Sequence, residues 1–128
     1  MRQKSAQPAV SIIVPIFNEE ENLPHLYGEF VAALEGWRPD FELILIDDGS
    51  RDRSWSVIEG LCKRDPRVKG VRFRGNFGQT AAVSAGFDLA EGELMVTMDG
   101  DLQNDPADIP ALAESMETRD LDLVNGWR

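Results

Sequence analysis

Short apolar runs alternate with segments of helical periodicity along the whole chain, and this alternation limits the possible folds more than any other feature. The first run is almost continuously apolar, which is typical of a strand covered on both faces. Strands that alternate with helices favour a parallel sheet with helices on both of its faces, so we predict an α/β fold. The expected strands are 10–17, 41–46, 68–73, 94–98 and 121–124.

Apolar residues recur at helical spacing in the stretches between these strands. The first stretch predicts a helix with Asn22 as its N-cap and Pro24 in its first turn, ended by Gly36. The later helices are predicted to start at Ser50 or Asp52, at Gly78, and at Asp105-Pro106. The third helix, 78–90, carries small residues that suit a close approach to the sheet, namely Ala81, Ala82, Ala85 and Gly86.

Each of the first four predicted strands ends in a cluster of polar residues. In a parallel sheet the carboxyl ends of the strands lie along one edge, and ligands of open α/β sheets bind beyond that edge. We therefore expect the clusters to converge on one candidate site. They are Asn18-Glu19, Asp47-Asp48, Arg74-Gly75-Asn76 and Asp99-Gly100-Asp101.

Asp99 and Asp101 form the most informative pair at this edge. Residues i and i+2 of a strand point to the same side, and Gly100 lets the backbone bend, so both carboxylates can approach one hard divalent cation. Mg²⁺ and Mn²⁺ commonly take one or two carboxylates and complete their coordination with water and substrate phosphate. An isolated acidic turn is often only a solvated surface loop. This turn follows an apolar strand and is expected to lie beside Asp47-Asp48, which favours a metal site.

The other clusters offer polar groups that suit a nucleotide, each with a structural alternative. Phe17 either packs on a base or belongs to the core, and Glu19 either accepts a hydrogen bond from the base or lies as a favourable charge at a helix N-terminus. Of Asp47 and Asp48, one is expected to face the ligand while the other makes structural hydrogen bonds; capping of the turn that follows is the alternative for both. Gln103 either orients a ligand or begins the turn to the next helix.

Composition and charge exclude several other classes of protein. The 128 residues suffice for one domain, and the net charge of -10 argues against a nucleic-acid surface, which needs clustered Lys and Arg. Cys62 is the single cysteine, so no internal disulfide forms, and we expect it to be a half-buried apolar residue. The sequence has no apolar run of roughly 18 residues, and Met1 to Pro8 lacks the apolar core expected of a signal peptide. We expect 1–8 to be a flexible tail and the chain to be soluble and cytoplasmic in character.

Four ordered stretches of the chain carry a resemblance to a known family. They are Val14-Pro15-Ile16-Phe17-Asn18-Glu19, Ile46-Asp47-Asp48-Gly49-Ser50, Arg74-Gly75-Asn76-Phe77-Gly78-Gln79 and Met98-Asp99-Gly100-Asp101-Leu102-Gln103. They look like the signatures of family 2 glycosyltransferases with the GT-A fold, and most resemble the branch of dolichol-phosphate mannose synthase and bacterial polyprenyl-phosphate glycosyltransferases. The likeness covers 9–128, which it implies to be the N-terminal nucleotide-sugar-binding part of a Rossmann-like transferase domain.

The resemblance implies a UDP- or GDP-sugar donor, a polyprenyl (undecaprenyl or dolichyl) phosphate acceptor, Mg²⁺ or Mn²⁺ as cofactor, and inversion at the anomeric carbon. Asp99 and Asp101 match the positions that bind the metal and diphosphate, Gln103 matches a catalytic position beside them, and Arg128 matches an arginine expected to contact the acceptor phosphate. Phe17 stands where the family more often has Tyr. The donor-nucleotide positions are Pro15, Phe17, Glu19, Asp48 and Asp99.

The same resemblance implies action at the cytoplasmic face of a membrane, reached through segments absent from this chain, and leaves a homo-oligomer open. The fifth strand is followed by only four residues, so we expect the domain to be truncated after it. A soluble acceptor stays an alternative, as does a fragment that binds nucleotide and metal without transferring sugar. A phospho-receiver domain is disfavoured because its acidic pair follows the first strand, whereas Asp47-Asp48 follows the second.

Overall fold

The computed structural model contains a parallel sheet with helices on both faces. It describes residues 7–98, 106–111, 114 and 124–125. This arrangement confirms the predicted α/β fold. The elements in chain order are β1 (Val10–Ile16), α1 (Leu23–Leu34), β2 (Phe41–Asp47), α2 (Ser54–Arg64), β3 (Val68–Arg72), α3 (Gln79–Leu89), β4 (Leu94–Thr97), a turn of 3₁₀ helix (Pro106–Asp108) and β5 (Val124–Asn125).

The strand order in the sheet is β3-β2-β1-β4-β5, and all neighbouring strands run parallel. The chain winds outward from β1 to β3 and then crosses back to place β4 on the other side of β1. The direction of winding therefore reverses between β1 and β4, which is where open α/β sheets bind their ligands. Receiver domains of the CheY type have the different order 2-1-3-4-5, so the topology removes that alternative.

The core lies on both faces of β1 and β2, as their continuous apolar runs predict. One face packs against α1 and α2 through side chains such as Phe30 and Leu45. The other face packs against α3 through a smaller cluster that contains Ile13, Ile44 and Ile46. Two such faces leave only the ends of the strands for polar chemistry.

A buried polar network closes the amino ends of the strands, opposite the candidate site. Glu42 is 2% exposed and accepts hydrogen bonds from Ser11 Oγ, Lys69 Nζ and the N–H of Glu91. Burial alone would raise the pKa of Glu42, but the hydrogen bonds from Lys69 and Ser11 outweigh it and hold that pKa below its ordinary value. The network therefore keeps a charged carboxylate inside the sheet and ties β1, β2 and β3 together.

Helix α3 approaches the sheet closely because small residues face the strands. Ala82 and Gly86 are its buried residues. A Cβ atom at Gly86 would lie 2.3 Å from Ile13 Cγ2 and 2.9 Å from Ile46 Cδ1. The expectation that the small residues of this helix allow close approach is confirmed.

Replacing Gly86 with alanine should lower the free energy of unfolding by about 1–2 kcal/mol, because overpacking against the stiff side chain of Ile13 outweighs the better helix propensity of alanine. The matched control is Gly28→Ala in α1, where a Cβ atom meets nothing within 4 Å. That control should raise the stability by about 0.5–1 kcal/mol. Urea denaturation measures both, and two changes of the same sign would contradict the packing account.

The predicted N-cap is confirmed in position at the first helix and is wrong at the second. Asn22 occupies the N-cap position of α1, but its side chain makes no cap hydrogen bond, and its Nδ2 donates to Glu19 Oε1 at 2.7 Å. Helix α2 begins at Ser54 after Arg53, and neither Ser50 nor Asp52 occupies its N-cap position. Helix α1 ends at Leu34, two residues before Gly36.

The ends of the chain show further differences from the sequence predictions. Of the predicted tail, 1–6 lie outside the described residues, whereas the Pro8 carbonyl accepts the N–H of Glu93 at 3.2 Å. The fourth helix starts as the 3₁₀ turn and continues through 109–111 with Ile109 fully buried, while Asp105 lies outside the described residues. The described part of the fifth strand, β5, overlaps the predicted strand at Val124 and extends to Asn125, while 121–123 lie outside the described residues.

Two properties of the described segments bear on the class of protein. Cys62 is half-buried against the core, as predicted, and burial raises the pKa of its thiol. Within the segments that the structure describes, no helix is both long and apolar enough to cross a membrane.

Candidate functional site

Three loops follow the carboxyl ends of β1, β2 and β3 and contact one another. We call them the first loop (17–22), the second loop (48–53) and the third loop (73–78). The sequence predicted that the polar clusters on these loops converge, and the structure confirms this for the three clusters it describes.

The first and second loops are joined by a reciprocal pair of hydrogen bonds. The N–H of Asn18 donates to Ser50 Oγ at 2.8 Å, and Asn18 Oδ1 accepts the N–H of Arg51 at 2.8 Å. Asn18 has a φ of 55°, a left-handed conformation that asparagine tolerates better than most residues. The turn at Asn18 therefore leads the chain out of β1 and across to the second loop.

Further hydrogen bonds continue this link toward α2. The N–H of Glu19 donates to Ser54 Oγ at 2.8 Å, and the N–H of Glu20 donates to Asp52 Oδ2 at 3.2 Å. In return Glu20 Oε1 accepts the N–H of Arg53 at 3.1 Å. Partial burial would raise the pKa of Asp52, but hydrogen bonds from Ser54 and the backbone outweigh it and lower that pKa. The first loop is thus fixed along its length to the start of α2.

The second and third loops are joined through Asp48, which is 5% exposed. Its carboxylate accepts the N–H of Phe77 at 2.7 Å, the N–H of Gly78 at 3.0 Å and Asn76 Nδ2 at 3.1 Å. The two backbones also touch, since a Cβ atom at Gly49 would lie 2.4 Å from the carbonyl carbon of Gly75. Asp48 therefore organises the third loop.

Asp47 is fully buried at the carboxyl end of β2. Its Oδ1 accepts the N–H of Ser50 at 2.9 Å, whereas its Oδ2 has no hydrogen-bond partner among the described residues. Both carboxylates therefore make structural hydrogen bonds, and the bond to Ser50 is the turn capping that the sequence offered as the alternative for Asp47. A buried oxygen without a partner is uncommon and calls for an explanation such as a bound water, an ion or a catalytic role.

The predicted donor residues lie at this edge of the sheet. Phe17 is 43% exposed, so the alternative that places it in the core is wrong. Pro15 lies near the end of β1 and pairs in register with Ile46. Glu19 is half-buried, and its Oε1 accepts the side-chain amide of Asn22 just before α1. The structure brings Pro15, Phe17, Glu19 and Asp48 together, and their contacts with a nucleotide stay a prediction.

An open cavity of about 320 Å³ lies beside the second and third loops. The guanidinium of Arg72 lies over the ring of Trp55, 5.8 Å from its centroid, which places a positive charge at this end of an acidic chain. The cavity therefore offers both cationic and hydroxyl groups beside the joined loops. Its lining residues are Gly49, Ser50, Arg72, Phe73 and Arg74.

The predicted metal ligands follow directly after β4. Met98 is buried, and its N–H donates to the carbonyl of Ile13 at 3.0 Å, so the chain reaches the residue before Asp99 at the point where the winding reverses. Asp99, Asp101, Gln103 and Arg128 lie outside the described residues. Within the described ranges, no group of three His, Cys, Asp or Glu side chains could hold a metal ion. The hard carboxylate oxygens of Asp99 and Asp101 fit Mg²⁺ or Mn²⁺ in chemistry.

Sequence reasoning missed the residues that join the loops. The sequence motifs included Ser50 and Asn76 but did not show the hydrogen bonds that join the loops, because each of these bonds reaches a residue distant in the chain. The same holds for Asp52 and Ser54. The sequence does show polar residues after each of the first four strands. This pattern predicts that they lie along one edge of the sheet, but not which of them form hydrogen bonds with each other.

Solved structures with the same fold include two glycosyltransferases. Residues 1–349 of TarS from S. aureus, in complex with UDP-GlcNAc, match with a TM-score of 0.70 and 22% identity, over 87% of this chain and 32% of that one. The mannosyltransferase PcManGT from Pyrobaculum calidifontis, in complex with GDP-Man and Mn²⁺, matches with a TM-score of 0.69 and 23% identity, over 82% of this chain and 31% of that one. These likenesses confirm the predicted GT-A fold.

Curated relatives extend the comparison to sequence. The dodecaprenyl-phosphate galacturonate synthase of Rhizobium johnstonii is 48% identical over 125 residues, which are 93% of this chain and 36% of that protein. The undecaprenyl-phosphate 4-deoxy-4-formamido-L-arabinose transferase of Shewanella sediminis is 44% identical over 109 residues, which are 84% of this chain and 33% of that protein. The chain thus spans about a third of the length of these relatives. Because the profile of the family described as Glycosyl transferase family 2 matches residues 11–128, the chain belongs to that family.

Proposed function

We propose that the chain is the donor-binding part of a metal-dependent, inverting glycosyltransferase that moves a sugar from a nucleoside diphosphate to a polyprenyl phosphate. The observation that carries this proposal is the identity of 48% and 44% to two proteins whose names both specify a polyprenyl phosphate. The proposed donor is a UDP- or GDP-sugar, since related folds were solved with UDP-GlcNAc and with GDP-Man.

The first loop receives the nucleoside in this proposal. Phe17, with its exposed ring, stacks on the base, and Glu19 accepts a hydrogen bond from the base edge. Pro15 restricts the end of β1 so that the ring lies beside the point where the winding reverses. Asp48 supports the same site by holding the third loop, and its contact with the nucleoside is part of the proposal.

Displacing a nucleoside diphosphate from an anomeric carbon builds negative charge on the leaving group. Asp99 and Asp101 would hold Mg²⁺ or Mn²⁺, which supplies charge neutralisation for the diphosphate when bound. Gln103, two residues further on, orients the sugar beside them. A single displacement at the anomeric carbon inverts its configuration.

The proposed acceptor needs no general base in the protein. A phosphate monoester has a second pKa of about 6 and is largely ionised at neutral pH. Arg128 binds the acceptor phosphate through its guanidinium, whose planar donors match phosphate oxygens. The protein would meet this lipid at the cytoplasmic face of a membrane through segments outside the chain.

A second proposal concerns the chain by itself. Because it spans about a third of the length of its relatives, we propose that these 128 residues bind nucleotide and metal without transferring sugar. The complete reading frame that contains them would carry the activity.

The test is a sugar-transfer assay with the protein encoded by that complete reading frame. Radiolabelled UDP- and GDP-sugars are offered with a short polyprenyl phosphate, and with the matching polyprenol as a control that lacks the phosphate. The proposal predicts label in the lipid extract for the phosphate and none for the alcohol. Label that appears only on a soluble sugar acceptor would contradict it.

A further inference from the structure

We propose that Asn18 and Ser50 are positioning residues, which act through the first loop to hold Phe17 where the nucleotide binds. This inference rests on the proposed function and goes beyond it, because neither residue is assigned to the donor there. The reciprocal hydrogen bonds between Asn18 and the 50–51 segment carry it.

The position of Phe17 depends on the backbone that follows it. Phe17 is 43% exposed just after β1, a strand that is buried except at Pro15, so core packing does not fix its side chain. The next residue, Asn18, has a φ of 55°, a left-handed conformation that costs most non-glycine residues about 1–2 kcal/mol and that asparagine adopts more readily. Ser50 Oγ and the N–H of Arg51 are the groups that hold it.

Glu19 is fixed on the other side of the same turn. Its N–H donates to Ser54 Oγ, and Ser54 is fully buried at the start of α2. The two donor residues therefore flank a turn that is attached to the second loop on one side and to α2 on the other. If the bonds of Asn18 are lost, Glu19 stays attached while Phe17 is released.

The hydrogen bonds between Asn18 and the second loop act on this turn. The N–H and Oδ1 of Asn18 are both used within the protein, and Ser50 Oγ is the acceptor of one of these bonds. The bonds lie at the exposed surface, where a hydrogen bond adds only about 0.5–1.5 kcal/mol to stability. Their loss should therefore affect ligand affinity more than folding.

The experiment compares nucleoside-diphosphate affinity among variants of the 128-residue chain by calorimetry with Mn²⁺. Ser50→Ala removes the acceptor, Asn18→Gly keeps the left-handed backbone but removes Oδ1, and Ser50→Thr retains the hydroxyl. We expect the first two to weaken UDP or GDP binding about tenfold and Ser50→Thr to stay within about twofold of the wild type. The matched control is Ser56→Ala, on an exposed position of α2, and should bind as the wild type does.

Amide hydrogen exchange, measured by NMR without nucleotide, supplies the second readout. The N–H of Asn18 should exchange slowly in the wild type although the residue is exposed, and faster in Ser50→Ala. If the N–H of Asn18 exchanges faster in Ser50→Ala but nucleotide affinity is unchanged, the positioning role is wrong and the proposed function is unaffected. The same conclusion follows if Ser50→Thr binds nucleotide as weakly as Ser50→Ala. A wild-type chain that binds neither UDP nor GDP would overturn both this inference and the proposed function.

Discussion

Replacing Asp48 with alanine should lower the free energy of unfolding by about 2–4 kcal/mol and abolish measurable nucleoside-diphosphate binding. The carboxylate is 5% exposed and accepts hydrogen bonds from Asn76, Phe77 and Gly78. Its removal leaves the N–H groups of Phe77 and Gly78 without their acceptor, so that, among the described hydrogen bonds, only the bond from Asn76 Nδ2 to the carbonyl of Asp48 still ties the third loop to the second. Urea denaturation gives the stability change, and calorimetry gives the binding.

Two further variants serve as controls for this prediction. Asp48→Asn has the same shape but turns an NH₂ donor toward donors of the third loop, so it should not restore stability. Asp88→Ala removes a carboxylate from an exposed position of α3 and should change stability by less than about 0.5 kcal/mol. An Asp48→Ala variant as stable as Asp88→Ala would show that Asp48 does not organise the third loop.

Asp99→Ala and Asp101→Ala should each weaken metal-dependent nucleoside-diphosphate binding about a hundredfold or more. Loss of a residue that only supports a metal ligand already costs 10–100-fold in affinity, and a direct ligand should cost at least as much. Neither variant should lose much stability, because both replace carboxylates proposed to serve the ligand. Titration of Mn²⁺ into each variant at fixed UDP or GDP measures the effect, with Asp88→Ala again as the control.

If metal-dependent nucleoside-diphosphate binding is unchanged in both variants, the proposed metal site is wrong. A loss in only one of them would assign the metal to that carboxylate alone. The two variants therefore separate a shared metal site from a single ligand.

The strands were predictable because they are short, nearly continuous apolar runs, whereas the segments between them have apolar residues at helical spacing. The apolar runs of β1 and β2 placed both strands correctly to within one residue. Phe17 was assigned to β1 because it is apolar, but the left-handed turn at Asn18 leads the chain out of the sheet there. Local composition shows the strand and not the turn that ends it.

The start of α2 was not predictable because a polar side chain near it has a distant partner. Ser50 has the composition of a cap, but its hydroxyl accepts from Asn18, 32 positions earlier in the chain. Asn22 was placed correctly at the N-cap of α1, although its amide donates to Glu19 within the same loop rather than capping the helix. At Ser50 a contact between loops overrides the local preference.

The candidate site was predictable in its place and not in its internal contacts. Polar residues after each strand predicted the shared edge, because parallel strands align their carboxyl ends. That Asp48 would bond the third loop depends on the close contact of Gly49 with Gly75, which only the folded chain shows. The metal-binding role of Asp99 and Asp101 stays a prediction.

Removal of the metal is the most direct test of the proposed metal-dependent donor site. UDP and GDP are titrated separately into the wild-type chain by calorimetry, first with Mn²⁺ and then with excess EDTA. At least one of the two nucleotides should bind with Mn²⁺, and this binding should be lost with EDTA. Equal binding under both conditions, or no binding of either nucleotide with Mn²⁺, would contradict it.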